Sequence, residues 1–260
     1  MEKISIKNRK NENIVAVIDY AAPQRGLAFV AHGLGSSKDS PRVKLIAGAF
    51  VKKGFTAVRF DTTNTFGESD GKYEDSTFTN YYQDLEDVIE WAQTQPWYRE
   101  PFALAGSSFG GKSTTYYAEN HSGRVLALAP VATGISGTLR IEASERRDPT
   151  SIRRWKETGW KEEESSTHPG RVYRKPWFHI EDDLKYDVLK KAKNLTMPVL
   201  LIVGDADVTT PKDHVEQLYN AIPGSKKELH VVKGMGHAFT ENFFPEVENI
   251  FLDWIDRLTI

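Results

Sequence analysis

One short stretch of the sequence, ALAGSSFGGKSTTYYAE from Ala103 to Glu119, contains residue types that support two different chemistries. Gly106, Ser108 and Gly110 fit the pattern G-x-S-x-G, in which a sharp turn exposes a nucleophilic serine. The stretch from Gly106 to Ser113 also fits G-x-x-x-x-G-K-[ST], in which backbone N–H groups cradle a phosphate. Both patterns lie between a strand and a helix, so the rest of the chain has to decide between them.

A nucleophilic serine needs a base to take its proton and an acid to orient that base. Both follow Ser108 along the chain: LLIVGDADVTTP carries Asp205 and Asp207 just beyond an apolar strand, and VVKGMGHAF carries His237 in a loop. Upstream, FVAHGLGSS matches the H-G-x-G turn that supplies a backbone donor to an oxyanion. Four parts in this order, each after an apolar strand, favour a nucleophilic serine.

The alternatives for these residues are structural or phosphate-binding. A phosphate cradle usually follows an early strand and works with Mg²⁺, whereas at least four predicted strands precede this loop. Ser108 could instead be a helix N-cap. His237 could be an ordinary loop histidine, because the chain has six others, of which His168 and His179 lie in the long segment described below. If Ser108 is the nucleophile, Lys112 becomes an ordinary residue of the first helical turn.

Strand-like and helix-like segments alternate along the chain, which predicts a mostly parallel, twisted sheet with helices on both faces. The predicted strands cover residues 13–21, 25–33, 55–61, 101–106, 124–130, 198–205 and 227–234. The predicted helices cover residues 41–54, 79–95, 108–119 and 245–258. The carboxyl ends of parallel strands form the edge at which such sheets bind ligands, and the loops of Ser108, Asp207 and His237 all follow strands.

The alternation breaks between Thr133 and Asn194, about 60 residues that are too many for an ordinary connection. We predict that residues 1–132 and 195–260 form the core and that residues 133–194 form an inserted lid. The aromatic residues of the insert either form its own small core or contact the substrate; for substrate contact we single out Trp155, Trp160, Trp177 and Phe178. Its arginines could bind a carboxylate or phosphate, although a solvated face is the simpler interpretation: Arg140, Arg146, Arg147, Arg153 and Arg154.

Composition excludes several function classes. The 260 residues are 39% hydrophobic and 27% charged with a net charge of −2, so no nucleic-acid-binding surface is implied. The chain has no cysteine, and its His and carboxylate spacings show no zinc pattern. The N-terminus lacks the apolar core of a signal peptide, and no apolar run approaches the roughly 20 residues that span a bilayer. These features predict a soluble cytoplasmic protein.

Together these motifs resemble the α/β-hydrolases over nearly the whole chain, and within them the small serine esterases related to cinnamoyl (feruloyl) esterases and monoacylglycerol lipases. The resemblance implies Ser108 as nucleophile, His237 as base and Asp207 as acid, since the family's G-x-x-D spacing counted from Gly204 favours Asp207 over Asp205. It also implies that the backbone N–H groups of Leu34 and Phe109 are the oxyanion donors. Relatives carry a lid in the same place, between the strands that flank residues 133–194.

The function expected from this resemblance is hydrolysis of a small-molecule carboxylic ester through an acyl-serine intermediate, with no cofactor. An acyl thioesterase and a peptidase would use the same residues, so both remain open. A non-catalytic binding module with a hydrolase-like fold is the alternative from another class, and retention of every triad candidate argues against it. The sequence leaves the acyl length, the alcohol and the oligomeric state open, a homodimer included.

Overall fold

The computed structural model describes residues 1–164, 170 and 172–259. Eight strands form the main sheet in the order β1-β2-β4-β3-β5-β6-β9-β10. Their bounds are Glu2–Lys7 (β1), Asn13–Asp19 (β2), Gly26–Ala31 (β3), Phe55–Phe60 (β4), Phe102–Ser107 (β5), Val125–Val131 (β6), Val199–Gly204 (β9) and Lys227–Val232 (β10). Strands β7 (Trp160–Glu164) and β8 (Val172–Pro176) form a separate antiparallel pair.

The main sheet is parallel from β4 to β10, and β2 pairs antiparallel with both β1 and β4. This confirms the predicted mostly parallel architecture. The edge strand β1 was not predicted, although its residues EKISIK alternate between polar and apolar types. Ile6 is buried while its neighbours face outward, which is the pattern of an edge strand covered on one face.

Helices cover both faces of the sheet, as predicted. They are Pro41–Lys52 (α1), Phe78–Ala92 (α2), Phe109–Asn120 (α3), Gly137–Arg147 (α4), Ser151–Thr158 (α5), Phe178–Asp183 (α6), Lys212–Ala221 (α7) and Phe244–Asp256 (α8). Alternate residues of β3 belong to opposite cores: Phe29 is part of the cluster that includes residues of α2, α3 and α7, whereas Val30 is part of the cluster that includes residues of α1 and α8. The sheet is therefore buried on both faces, which explains its nearly continuous apolar strands.

Residues 133–194 leave the sheet after β6 and return to it before β9, its neighbour in the sheet. In the described part of this insert, α4, α5, the β7–β8 hairpin and α6 follow one another. The two ends of the insert belong to the main core, since Ile135 and Val188 pack there and Val188 N–H donates to the carbonyl of Ile135. The described remainder of the insert therefore lies at the carboxyl ends of the parallel strands, next to the end of β6.

Among the residues that the structure describes, no helix has the length and apolar character needed to cross a membrane.

Candidate active site

The turn between β5 and α3 holds Ser108 in a backbone conformation that a residue with a side chain rarely adopts, with φ +54° and ψ −116°. Glycines on both sides make this turn possible. A Cβ at Gly106 would lie 2.6 Å from the carbonyl carbon of Gly110, and a Cβ at Gly110 would lie 2.4 Å from the carbonyl oxygen of His32. The G-x-S-x-G spacing thus allows α3 to pack directly against β5 and the neighbouring loop, with Ser108 at the apex.

The structure brings three of the predicted residues together. Ser108 Oγ lies 2.9 Å from His237 Nε2, and His237 Nδ1 lies 2.9 Å from Asp207 Oδ2. Ser108 makes no side-chain cap hydrogen bond to α3, so its hydroxyl is directed to the histidine rather than to the helix. Because a carboxylate can only accept, His237 carries its proton on Nδ1, which leaves Nε2 as the acceptor for the Ser108 hydroxyl.

Hydrogen bonds to both of its oxygens hold the Asp207 carboxylate in place. Its Oδ1 accepts from the backbone N–H groups of Thr209 and Thr210, and its Oδ2 accepts from the Thr210 hydroxyl at 2.7 Å as well as from His237. Burial acts to raise the pKa of Asp207, but the hydrogen bonds from His237 and Thr210 outweigh it and hold the pKa below its usual value. The carboxylate is therefore ionised and oriented. Thr210 was not singled out from the sequence.

Asp205, the rival acid, has another partner. Its Oδ1 accepts from the backbone N–H of Gly234 at 2.6 Å, and the N–H of Ala206 donates to the carbonyl of Met235. These two bonds tie the loop after β9 to the loop after β10. Asp205 thus supports the turn that carries His237, while Asp207 contacts the imidazole.

The loop after β3 lies against the same serine. Leu34 lines a cavity with Ser108 and Phe109, and the N–H of Ser36 donates to the carbonyl of Gly33 in a tight turn. His32 stabilises this turn by hydrogen bonding. Its Nε2 accepts from the backbone N–H of Thr62, so Nδ1 is the protonated atom. Nδ1 donates to the Gly33 carbonyl at 2.8 Å. Complete burial lowers the pKa of His32, which keeps it neutral.

Lys112, the residue that matches the phosphate-binding pattern, is not an ordinary solvent-facing residue of the first helical turn. Its side chain is 1% exposed, and its Nζ lies 2.5 Å from Asp183 Oδ1 of α6 and 4.5 Å from the centre of the Phe78 ring. Burial lowers the pKa of Lys112 against the effect of Asp183. The buried partner explains why a lysine occupies this position without a phosphate.

A cavity of about 490 Å³ opens at Ser108 and His237. Its walls come from the loops of the core and from the insert, which contributes residues of α4 and of the β7–β8 hairpin. Two tyrosines are part of its described lining beside Phe109: Tyr73 and Tyr173 both pack on Phe66, with ring-centre distances of 4.4 and 3.9 Å. Tyr73 had no signal in the sequence, and Tyr173 was noted only as an aromatic residue of the insert.

The four aromatic residues singled out for substrate contact lie outside the described part of the cavity wall. Trp155 is 2% exposed, donates from Nε1 to the carbonyl of Lys175 and packs edge-to-face on Trp177. Trp160 and Phe178 are 41% and 44% exposed. The described lining of the cavity includes none of them. Their position favours the other alternative, a small core of the insert with two exposed neighbours.

Of the five arginines singled out in the insert, four are exposed, as expected of a solvated face, and Arg140 is half-buried. Arg146 pairs with Glu142 and Asp213, and Arg154 pairs with Asp148. Arg140 and Arg147 instead line the cavity with Ser136 and Ser144. Positions 136, 140, 144 and 147 share one face of α4, so helical spacing was the signal that could have separated them from Arg146.

In the described ranges, no group of three or more histidine, cysteine or acidic side chains is arranged to hold a metal ion. His179 is buried, with Nδ1 at 2.8 Å from the carbonyl of Ser76 and Nε2 accepting from Arg140. Burial and the nearby cations lower the pKa of His179 to about 3. His168 lies outside the described residues.

Comparison with known proteins identifies the kind of molecule that carries this site. The family model for serine aminopeptidase, S33, matches residues 22–242. The chain is similar to Est1E from Butyrivibrio proteoclasticus, solved with ferulic acid bound (17% identity, 98% of each chain, TM-score 0.81). It is also similar to mouse alpha/beta hydrolase domain-containing protein 10 (18% identity, 100% of each chain, TM-score 0.82).

A curated protein of Escherichia coli, the uncharacterized 31.7 kDa protein in the traX-finO intergenic region, is 24% identical over 241 residues, which cover 81% of this chain and 84% of that protein. The solved structures share the fold at low identity. They show that the chain has the α/β-hydrolase fold, and they leave its substrate open.

Proposed function

This chain belongs to the serine aminopeptidase S33 family of α/β hydrolases, and from that premise we propose that it hydrolyses a carboxylic ester through an acyl-serine intermediate. The observation that carries the proposal is the pair of 2.9 Å contacts that joins Ser108 Oγ to His237 and His237 to Asp207 at the floor of the cavity. In the proposed roles Ser108 is the nucleophile, His237 is the base and Asp207 orients the base. Residues 133–194 form the lid.

The proposed reaction has two halves. Ser108 Oγ attacks the ester carbonyl carbon while its proton passes to His237 Nε2, and Asp207 stabilises the imidazolium that results. The carbonyl oxygen becomes an oxyanion that accepts from the N–H groups of Leu34 and Phe109. The C–O bond of the ester then breaks, and His237 returns the proton to the departing alcohol. A water molecule, deprotonated by His237, attacks the acyl carbon; the bond to Ser108 Oγ then breaks, His237 returns the proton to Oγ, and the acid is released.

A peptidase is the second candidate, because the family model is described as a serine aminopeptidase. An aminopeptidase has to bind the ammonium group of a peptide N-terminus. Among the described residues that line the cavity, the five basic ones (Lys112, Arg140, Arg147, Lys161 and Lys175) outnumber the three acidic ones, and this net positive charge disfavours such a group. This charge favours an ester over a peptide with a free N-terminus.

The test is a hydrolysis screen with purified protein. Its substrates are p-nitrophenyl esters of increasing acyl length, a feruloyl ester, an acyl-coenzyme A and an aminoacyl p-nitroanilide, so that esterase, thioesterase and aminopeptidase activities are compared directly. We expect the esters to be hydrolysed with the highest kcat/KM. Ser108→Ala should lower kcat by about 10,000-fold or more, while the matched control Ser107→Ala should cost far less.

Preference for the anilide would replace the esterase by an aminopeptidase, and preference for the thioester would replace it by a thioesterase. Equal activity of Ser108→Ala and wild type would remove Ser108 from the reaction. A wild-type protein that hydrolyses none of these substrates and does not react with a fluorophosphonate would be the non-catalytic binding module.

A further inference from the structure

The insert side of the cavity has an excess of positive charge. Among the described residues that line the cavity, five are basic and three are acidic. The basic ones are Lys112, Arg140, Arg147, Lys161 and Lys175, and the acidic ones are Glu163, Glu164 and Asp183. Charges that are removed from water are normally paired. The ion pairs in the cavity therefore show whether the basic side chains are already balanced or can bind an anion.

Two of the three carboxylates, those of Asp183 and Glu163, each contact two cations. Asp183, which is 1% exposed, lies 2.5 Å from Lys112 Nζ and 3.1 Å from Arg140 Nη1. Glu163 contacts Lys161 Nζ at 2.6 Å and also Lys175 Nζ. Among the described lining residues, each of these two carboxylates therefore balances only one of its two cations, and the third acidic residue, Glu164, is exposed.

The cations also affect one another. Burial, together with the charges of Arg140 and Lys161, lowers the pKa of Lys175 to about 8, although Glu163 acts in the opposite direction. Lys175 is 5% exposed, so solvent does little to screen this repulsion. An anion placed in the cavity would relieve it.

Arg140 has the geometry to hold that anion. In the described part of the chain its hydrogen bonds to His179 and Asp183 both come from Nη1, which leaves the donors on Nε and Nη2 unused. Its guanidinium carbon lies 5.6 Å from the centre of the Phe109 ring, beside the proposed nucleophile. A guanidinium edge with two parallel donors matches a carboxylate or a phosphate.

We propose that the substrate carries an anionic group, a carboxylate or a phosphate, that binds in this cavity to Arg140 with Lys161 and Lys175 beside it. The proposal rests on the proposed esterase function and specifies its substrate class. Arg140 is then a specificity-determining residue, because it selects anionic esters from neutral ones of the same length.

The kinetic test compares esters that differ only in charge. Mono-p-nitrophenyl glutarate carries a carboxylate where p-nitrophenyl valerate carries a methyl group, and para-carboxyphenyl valerate with para-methylphenyl valerate places the same difference on the alcohol side. In wild type, kcat/KM for the anionic ester of one pair should exceed that for its neutral partner by about tenfold or more. Arg140→Gln should lower this ratio by about tenfold, and intrinsic reactivity cancels in the comparison of variant with wild type.

Arg153→Gln is the matched control, because it removes the same charge from an exposed residue that does not line the described cavity wall. It should leave the ratio unchanged. Hydrolysis of the neutral esters with no preference for either anionic ester, and with ratios that Arg140→Gln does not change, would overturn the proposal while leaving the esterase function intact.

If no ester is hydrolysed, a binding measurement tests the proposed anion site independently of the proposed esterase function. Glutarate and butylphosphonate are titrated calorimetrically into Ser108→Ala and into Ser108→Ala combined with Arg140→Gln. Binding of either anion that is weakened about tenfold by the second substitution supports the anion site, and the tighter of the two identifies the head group. If neither anion binds, or if binding does not depend on Arg140, the site does not exist.

Discussion

The loops at Ser108, Asp207 and His237 and the insert over residues 133–194 face the same cavity but are built in opposite ways. The loops are short and follow buried strands, and hydrogen bonds within a loop hold their polar groups, as between Asp207 and the two threonines that follow it. The insert contributes charged side chains held by ion pairs, one of which joins Asp183 of the insert to Lys112 of α3, 71 positions away. The first region is suited to fixed chemistry and the second to recognition.

This difference indicates which substitutions should abolish turnover and which should change the substrate. In the proposed reaction, groups in the loops interact with the reacting atoms, so their loss should affect every substrate alike. Groups in the insert interact with the remainder of the substrate or with one another, so their loss should change preference or stability.

The largest expected effect separates the two aspartates of the loop after β9. Asp207→Asn should lower kcat about 10,000-fold, because a neutral amide can hold the wrong tautomer of His237. Asp205→Asn is the matched control and should have a much smaller effect, since Asp205 accepts from Gly234 and does not orient the imidazole. Steady-state kinetics on a neutral ester measures both. The reverse order of severity in two folded variants would transfer the role to Asp205.

The next effect concerns the buried ion pair that joins the two regions. Lys112→Met leaves Asp183 with Arg140 as its remaining cation and should lower the free energy of unfolding by about 3 kcal/mol. Lys190→Met removes an exposed lysine of the insert and should change it by less than about 0.5 kcal/mol. Urea denaturation measures both. Equal stability of the two variants would show that the pair contributes nothing to holding the insert on α3.

A pH effect is expected at the opposite end of α3, where Glu119 is 2% exposed and its carboxyl oxygens have no hydrogen-bond partner among the described residues. Burial raises its pKa from 4.5 to about 8. Between these values the folded protein holds a proton that the unfolded chain releases, so raising the pH favours unfolding. Stability should fall between pH 5 and pH 8, and at about 1.4 kcal/mol per pKa unit the loss amounts to a few kcal/mol.

Glu119→Gln, which cannot ionise, should remove this part of the pH dependence, whereas Glu86→Gln should retain it. Urea midpoints at the two pH values give the comparison. A Glu119→Gln variant that loses as much stability as wild type between pH 5 and pH 8 would show that Glu119 ionises without cost.

The smallest effect distinguishes the aromatic residues that line the cavity from those that do not. Tyr173→Ala should change the order of preference among acyl lengths by roughly tenfold in kcat/KM, because Tyr173 forms part of the wall. Trp160→Ala should keep the wild-type order, since Trp160 is exposed and stacks on Arg174 at 4.7 Å. A changed order in Trp160→Ala alone would return substrate contact to the aromatic residues first chosen from the sequence.

The same comparison explains what could be predicted from the sequence. Ser108, His237 and the pair Asp205 and Asp207 could be predicted as neighbours because each follows a strand in a short loop, and parallel strands end at one edge. The preference for Asp207 over Asp205 came from the resemblance to the family. The β7–β8 hairpin had no such signal: WKEEE lacks apolar alternation, and opposite charges stabilise its pairing, as between Glu162 and Arg174 at 3.2 Å. Helical spacing groups Arg140 with one face of α4, but no local pattern shows that this face, or Tyr173 of the hairpin, lies on the cavity, because that depends on how the insert folds back.

The most direct test of the central claim is covalent labelling of Ser108. A fluorophosphonate reacts with a serine only when a neighbouring base accepts the proton of its hydroxyl. The intact mass of wild type should increase by one adduct, peptide mapping should place that adduct on Ser108, and both Ser108→Ala and His237→Ala should remain unlabelled. An adduct on another residue, or labelling of Ser108→Ala at the wild-type rate, would contradict the assignment of Ser108 as the activated nucleophile.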